Sequence, residues 1–157
     1  MSIESIPDAS NPEELVRQFH SVYRLPVCDD KPNSDRERVH MRLGLVAEEF
    51  AELVGAVYGA KSRSIIEEAW EESRTHDDHT RDTIEVADAL GDLVYVIYGM
   101  ALELGIPLTD VLEEIHASNL SKLDANGEPI YREDGKVLKG PNFFQPDIAR
   151  VLGLDSE

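Results

Sequence analysis

The sequence predicts an all-α fold: an antiparallel four-helix-bundle core of four to five helices, with a short non-helical C-terminal arm. Three observations predict it. Long stretches carry apolar residues at spacings of three, four and seven, helix starts and stops punctuate those stretches, and the texture changes to glycines and prolines at turn-like positions after Asn119. At 157 residues with 41% hydrophobic content, the chain is expected to form a single domain over 1–157, with its core at about 12–118 and its arm at about 119–157.

Asn11-Pro12-Glu13-Glu14 reads as a helix start, with an Asn cap, Pro at the first helical position and acids in the first turn. The helix carrying Leu15, Val16, Phe19 and Val22 should stop before Leu25-Pro26, because the residue before a proline is pushed out of the helical region. PVCDDKPNSD then reads as a loop in which Ser34 or Asp35 caps a second helix. That helix places Leu43, Val46, Phe50, Leu53, Val54 and Val57 on one stripe, expected to face the core, and ends at Gly59.

A third, weakly amphipathic segment covers about 62–74, and RTHDDHTRD at 74–82 is a polar connection. The fourth helix runs from about Asp82 to Leu104 and stops at Gly105, with Pro107 just beyond. A short fifth, LTDVLEEIHASN, begins at Pro107, with Thr109 as a possible cap. After Asn119 two short apolar runs, GEPIY and GKVLK, lie among glycines and prolines, which reads as an irregular hairpin or an ordered arm.

Composition narrows the function classes. Asp and Glu total 32 against 15 Lys and Arg, a net charge of −17 that repels a phosphate backbone, so nucleic acid is not an expected partner. The N-terminus has no basic stretch leading into an apolar run, and the longest apolar candidate, LVYVIYGMALELGIPL, is broken by Glu103 and two glycines. Neither a signal peptide nor a membrane role is expected. Cys28 stands alone, which fits a reducing compartment, and a cytoplasmic location is expected.

The acidic residues are concentrated. VAEEFAEL at 46–53 sets Glu49 and Glu52 at i,i+3 and Glu48 and Glu52 at i,i+4, and IEVADALGDL at 84–93 sets Glu85, Asp88 and Asp92 on one face. Like charges at such spacings repel by a few tenths of a kcal/mol per pair, a sign that a bound cation reverses. Two antiparallel helices bearing these acids can converge their carboxylates into an oxygen-lined pocket of the kind Mg²⁺ takes. The competing reading is a solvated acidic helix face. Against it, Asp88 and Asp92 sit in the most apolar helix, where an aspartate is costly to bury unpaired. The five histidines and Cys28 are read as structural or solvated.

EEFAE at 48–52 followed by DALGDLVY at 88–95 resembles the E-E-x-x-E … E-x-x-D signature of the all-α nucleoside triphosphate pyrophosphohydrolases, the superfamily of MazG-like proteins. HASNLSK at 116–122 and DGKVLKGP at 134–141 are similar to the MazG-like branch close to phosphoribosyl-ATP pyrophosphohydrolase, and the resemblance spans about residues 12–148. It implies a four-helix core completed by dimerisation, with a homodimer or homotetramer expected. It also implies Mg²⁺, with Mn²⁺ as a substitute, and cleavage of a nucleoside triphosphate between its α- and β-phosphates to a monophosphate and pyrophosphate.

Glu48, Glu49 and Glu52 match the first motif and Asp92 the terminal Asp of the second, but the Glu expected three residues before Asp92 falls at Ala89. Asp88 and Glu85 share the face of Asp92 and are the substitutes, Asp88 being one turn away. The expected ligands are therefore Glu49, Glu52, Asp88 and Asp92, with Glu48, furthest from the apolar stripe, orienting the attacking water. The resemblance favours Asn119, Lys122 and Lys139 as phosphate or base contacts, and Tyr95, one turn beyond Asp92, is placed to stack on a base. Two alternatives stay open: a non-catalytic nucleotide- or metal-binding regulatory bundle, in which Ala89 has cost turnover but not binding, and a metal-free interaction module.

Overall fold

In a computed structural model, which describes residues 5–154, the protein is all-α. The helices are α1 (Pro12–Val22), α2 (Val39–Tyr58), α3 (Ala60–Arg74), α4 (Thr83–Leu104), α5 (Leu108–Leu120) and the four-residue α6 (Ile148–Val151). The described residues up to Asp30, together with those from Leu90 onward, form one compact unit, and Lys31–Ala89 form the other; α4 runs from one into the other. Among the described residues no single helix is long and apolar enough to cross a membrane.

In the contiguous unit, α2 and α3 form a hairpin joined by Gly59 alone. At φ +94° that position suits glycine, whose missing Cβ permits the left-handed region. The reversal lays α3 along the small residues of α2. A ring carbon of Trp70 lies 3.8 Å from where a Cβ on Gly44 would stand, Ala51 is buried, and the Cβ of Arg63 lies 2.9 Å from a Cβ built on Gly55. Gly44, Ala51 and Gly55 fall at i, i+7 and i+11, one narrow line on the helix.

The large apolar stripe of α2 lies elsewhere, more than a third of a turn round. Leu43, Val46, Phe50, Leu53 and Val57 are exposed, and Val54 is only half-buried, so the expectation that this stripe faces the core of a single chain is corrected. The small residues, which tolerate the closest helix approach, took that role.

Ser34 and Asp35 do not cap α2, which starts at Val39 without a side-chain cap. Ser34 is buried, and its Oγ lies 2.9 Å from Thr83 Oγ1 at the start of α4, while Asp35 pairs with Arg81 at 3.3 Å. The cap of α4 is Asp82, whose Oδ1 accepts from the backbone N–H groups of Ile84 and Glu85 at 3.0 and 3.1 Å. In the preceding connection Arg81 grips Asp77 with two hydrogen bonds, and that guanidinium holds the Asp77 carboxyl well below the usual carboxylate range.

In the other unit α1 packs on α5, and α5 on α6. Leu15, Tyr23, Val111 and Leu120 supply buried apolar contacts, and Ala101 joins them from the far end of α4. α4 stops as expected at Gly105, which is at φ +68°. The N–H of Ile106 donates to Ala101 O and that of Gly105 to Leu102 O, the paired bonds of a Schellman cap. Asn11 and Thr109 make no cap hydrogen bond with their side chains; Pro107, not Thr109, precedes α5.

The arm after α5 is a hairpin with an antiparallel bridge between Tyr131 and Val137, followed by α6, so it is not wholly non-helical. It is tied to the helices by polar bonds. Tyr131 Oη donates to Tyr23 O at 2.7 Å, Tyr23 Oη to Asn119 O at 2.8 Å, and Ser118 Oγ to Phe144 O at 2.7 Å. Burial pushes the Tyr23 phenol up to about 12, so it remains a donor.

His116 on α5 is 5% exposed, with Nε2 2.8 Å from Gln18 Oε1, an arrangement that suits a neutral ring donating from Nε2. Burial lowers its pKa from the ordinary 6.5. Below pH 6.5 the unfolded chain therefore binds a proton that the folded chain refuses. The stabilisation is complete above that pH and is lost as pH falls toward the folded pKa. Thermal unfolding of native protein and His116→Gln from about pH 8 to 5 checks this: the native melting temperature should fall more steeply below about pH 6.5 than that of the variant.

Candidate active site

The candidate site is built on two helices. On α2, Glu48, Glu49 and Glu52 lie in the third and fourth turns, all exposed, with Glu52 one turn from Glu48 and on the side toward α3. Its Oε1 lies 3.1 Å from Nη2 of Arg63, whose Nε is 2.7 Å from Glu67 Oε1. On α4, Glu85, Asp88, Asp92 and Tyr95 follow one another at spacings of three, four and three, and all four are exposed. The expectation that Asp88 and Asp92 are costly buried aspartates is corrected for the single chain, because the helix around them is itself open.

That openness is the main physical feature of the site region. Ile84 is 80% exposed, Tyr95 82% and Leu102 80%, and Leu90, Val94, Val96 and Ile97 are exposed between them. A helix apolar on more than one face and uncovered within its own chain is a surface that water disfavours.

Helix geometry brings Glu48, Glu49 and Glu52 together on α2, and Asp88 and Asp92 together on α4. Among the described residues, however, no three His, Cys, Asp or Glu side chains converge closely enough to hold a metal ion. The donor chemistry nonetheless fits a hard divalent cation, since every candidate is a carboxylate and none is a thiolate or imidazole. Among the described residues Asp88 and Asp92 make no ion pair, which leaves their oxygens available.

The remaining candidates lie around the end of α5 and the arm. Asn119 is half-buried, and its carbonyl is committed to Tyr23. The ammonium of Lys122 stands 6.0 Å from the centre of the Phe19 ring, and that of Lys139 stands 4.5 Å from the Phe143 ring, so both lysine heads are held against aromatic faces. The residue that sequence reasoning missed is Arg63. Its signal was the Gly59 reversal, which brings a residue eleven positions after Glu52 back alongside it.

The fold is shared with a solved protein. The crystal structure of a "putative NTP pyrophosphohydrolase" from Exiguobacterium sp. 255-15 superposes with a TM-score of 0.67 at 24% identity, covering 91% of this chain and 94% of that one. The helical fold and the two carboxylate-bearing helices define a member of the all-α nucleoside triphosphate pyrophosphohydrolase (MazG-like) superfamily. The model of the phosphoribosyl-ATP pyrophosphohydrolase family matches residues 16–119, well over half of the sequence, and the chain belongs to that family. "Uncharacterized protein L479" of Acanthamoeba polyphaga mimivirus is 28% identical over 135 residues, 86% of this chain. The chain spans 41% of the length of that relative.

Proposed function

We propose that the protein is a Mg²⁺-dependent nucleotide pyrophosphohydrolase, with Mn²⁺ as a substitute, that cleaves a ribo- or deoxyribonucleoside triphosphate between the α- and β-phosphates to a monophosphate and pyrophosphate. The observation that carries this reading is that a chain of this family bears Glu48, Glu49 and Glu52 on α2 and Asp88 and Asp92 on α4, the residue types and spacings of the family signature. Glu49, Glu52, Asp88 and Asp92 would hold the cation. Bound there, the cation would neutralise phosphate charge and polarise the phosphoryl group under attack.

The chain's own residues supply the rest. Glu48 orients the water and takes its proton as the oxygen attacks in line and the anhydride bond opens. Lys122 and Lys139, with the Asn119 amide, offset the charge of the triphosphate that a single divalent ion leaves over. Tyr95 presents an exposed ring on which a base can stack.

A second copy of the chain belongs to this reading. A homodimer that covers the exposed apolar residues of α2 and α4 would take them out of water. Equilibrium sedimentation should return twice the chain mass of 17.5 kDa, or four times if dimers pair further, and a monomer would exclude this arrangement.

The test of the activity is pyrophosphate release from a panel of ribo- and deoxyribonucleoside triphosphates with Mg²⁺, with Mn²⁺ and with chelator. Metal-dependent release with a monophosphate product would establish the activity and name the substrate. Ala89, where the family pattern has Glu, favours a second reading, a non-catalytic nucleotide- or metal-binding regulator. Metal-dependent nucleotide binding without release from any substrate would select it.

A further inference from the structure

We propose that Arg63 is a positioning residue that holds Glu52 while the metal is absent and competes with the cation for it, moving wholly onto Glu67 when the cation binds. The proposal rests on the reading of Glu52 as a metal ligand.

One guanidinium serves two carboxylates here: Nη2 lies 3.1 Å from Glu52 Oε1 and Nε lies 2.7 Å from Glu67 Oε1. The two bonds are not equivalent. The contact with Glu67 is the shorter and joins residues one turn apart on α3, so it survives any movement of α2, whereas the contact with Glu52 crosses between helices. The side chains are about half exposed, 43% for Arg63 and 49% for each glutamate, so water screens the pair and its exchange costs little.

The base of the arginine, by contrast, is fixed. Its Cβ stands 2.9 Å from where a Cβ on Gly55 would be, one turn after Ala51 and three residues after Glu52. Only the far end of the side chain can therefore swing, and it has two acceptors to swing between. A divalent cation on Glu52 repels a guanidinium a few ångströms away and draws on the same oxygen lone pairs, while Glu67 offers the displaced donor a second acceptor already in contact.

In the metal-free chain Arg63 would thus offset the mutual repulsion of Glu48, Glu49 and Glu52 and keep Glu52 in one rotamer. Cation binding would replace that compensation. The two neighbours of the cation site then act with opposite signs. Removing Arg63 frees Glu52, whereas removing the charge of Glu67 leaves Arg63 with Glu52 as its remaining acceptor.

Calorimetric titration with Mn²⁺ alone, on full-length native protein, Arg63→Gln and Glu67→Gln, tests this without reference to turnover. Glutamine keeps the arginine Cβ, Cγ and Cδ beside Gly55. Arg63→Gln is expected to bind Mn²⁺ about two- to fivefold more tightly than native, and Glu67→Gln more weakly by a similar factor, the range an exposed ion pair allows. If native protein binds Mn²⁺ and Arg63→Gln binds it no more tightly, the competition is overturned while the metal reading stands. If native protein binds no Mn²⁺, both fall. Should Arg63→Gln fail to fold, Glu67→Gln decides alone: weaker binding supports the exchange, and unchanged or tighter binding overturns it.

Discussion

Asp92→Ala is expected to lower metal-dependent pyrophosphate release by at least about a hundredfold, the scale on which metal sites respond to lost ligands or their supports. The same variant should lose the rise in melting temperature that Mg²⁺ or Mn²⁺ gives the native protein. Asp92 is the instructive position because it matches the terminal Asp of the family signature and is exposed on α4, with no ion pair among the described residues. Its removal costs the chain no packing and relieves repulsion from Asp88 one turn before it. The metal-free fold should therefore be as stable as native or slightly more so, which separates a lost ligand from a lost structure. A metal-free interaction module would show that small gain and no metal response in either protein. Native release rates in Asp92→Ala would remove Asp92 from the site.

Gly140→Ala is expected to loosen the C-terminal arm at a cost of about 2–4 kcal/mol, in the range of forced overpacking. A Cβ at this position would run into the backbone carbonyl of Leu123, with the carbonyl of Lys122 next nearest. Backbone atoms cannot swing aside as the tip of a side chain can, so the arm itself must move. That displacement strains the bonds from Ser118 Oγ to Phe144 O and from the Phe144 N–H to Ser121 Oγ, and it shifts Lys139, the immediate neighbour of Gly140. Urea unfolding should show the loss, and limited proteolysis should cut the variant within residues 124–146 well before the native chain. If Lys139 contacts the phosphates, KM should rise more than kcat falls. Native stability together with a native cleavage pattern would mean that the arm yields without cost.

Much of the helical frame was legible because helix ends are written locally. Gly59 and Gly105 each end a helix through the backbone conformations their own residues permit, with no help from distant parts of the chain, and α1 stops before Leu25-Pro26 as expected, its end closed by Arg24 at φ +51°. The start of α2 was not legible in this way. Ser34 and Asp35 have the chemistry of caps, but Ser34 hydrogen-bonds to Thr83 and Asp35 forms an ion pair with Arg81, both nearly fifty residues on, and only the folded chain shows that competition.

The division of the α2 surface was also hidden. Periodicity marks the large apolar stripe as the face that must be covered, yet does not say by what. Within one chain α3 covers the line of Gly44, Ala51 and Gly55 instead. The site residues were found by residue type and spacing, both of which a helix translates directly into a shared face. The salt bridge from Arg63 to Glu52 depends on a chain reversal and is invisible to spacing along a single helix.

The division into a contiguous and a discontinuous unit also bears on how the chain comes together during synthesis. The α2–α3 hairpin is closed by a one-residue turn, so its two partners leave the ribosome in immediate succession and can pair at once, with little loop entropy to overcome. The bond from Tyr23 to Asn119 joins residues 96 apart, so α1 emerges first and must wait, with its apolar residues uncovered, until α5 has been made. The vulnerable interval in the life of this chain is thus expected before α5 appears, and the segment most in need of shielding then is α1, which is translated well before its partner.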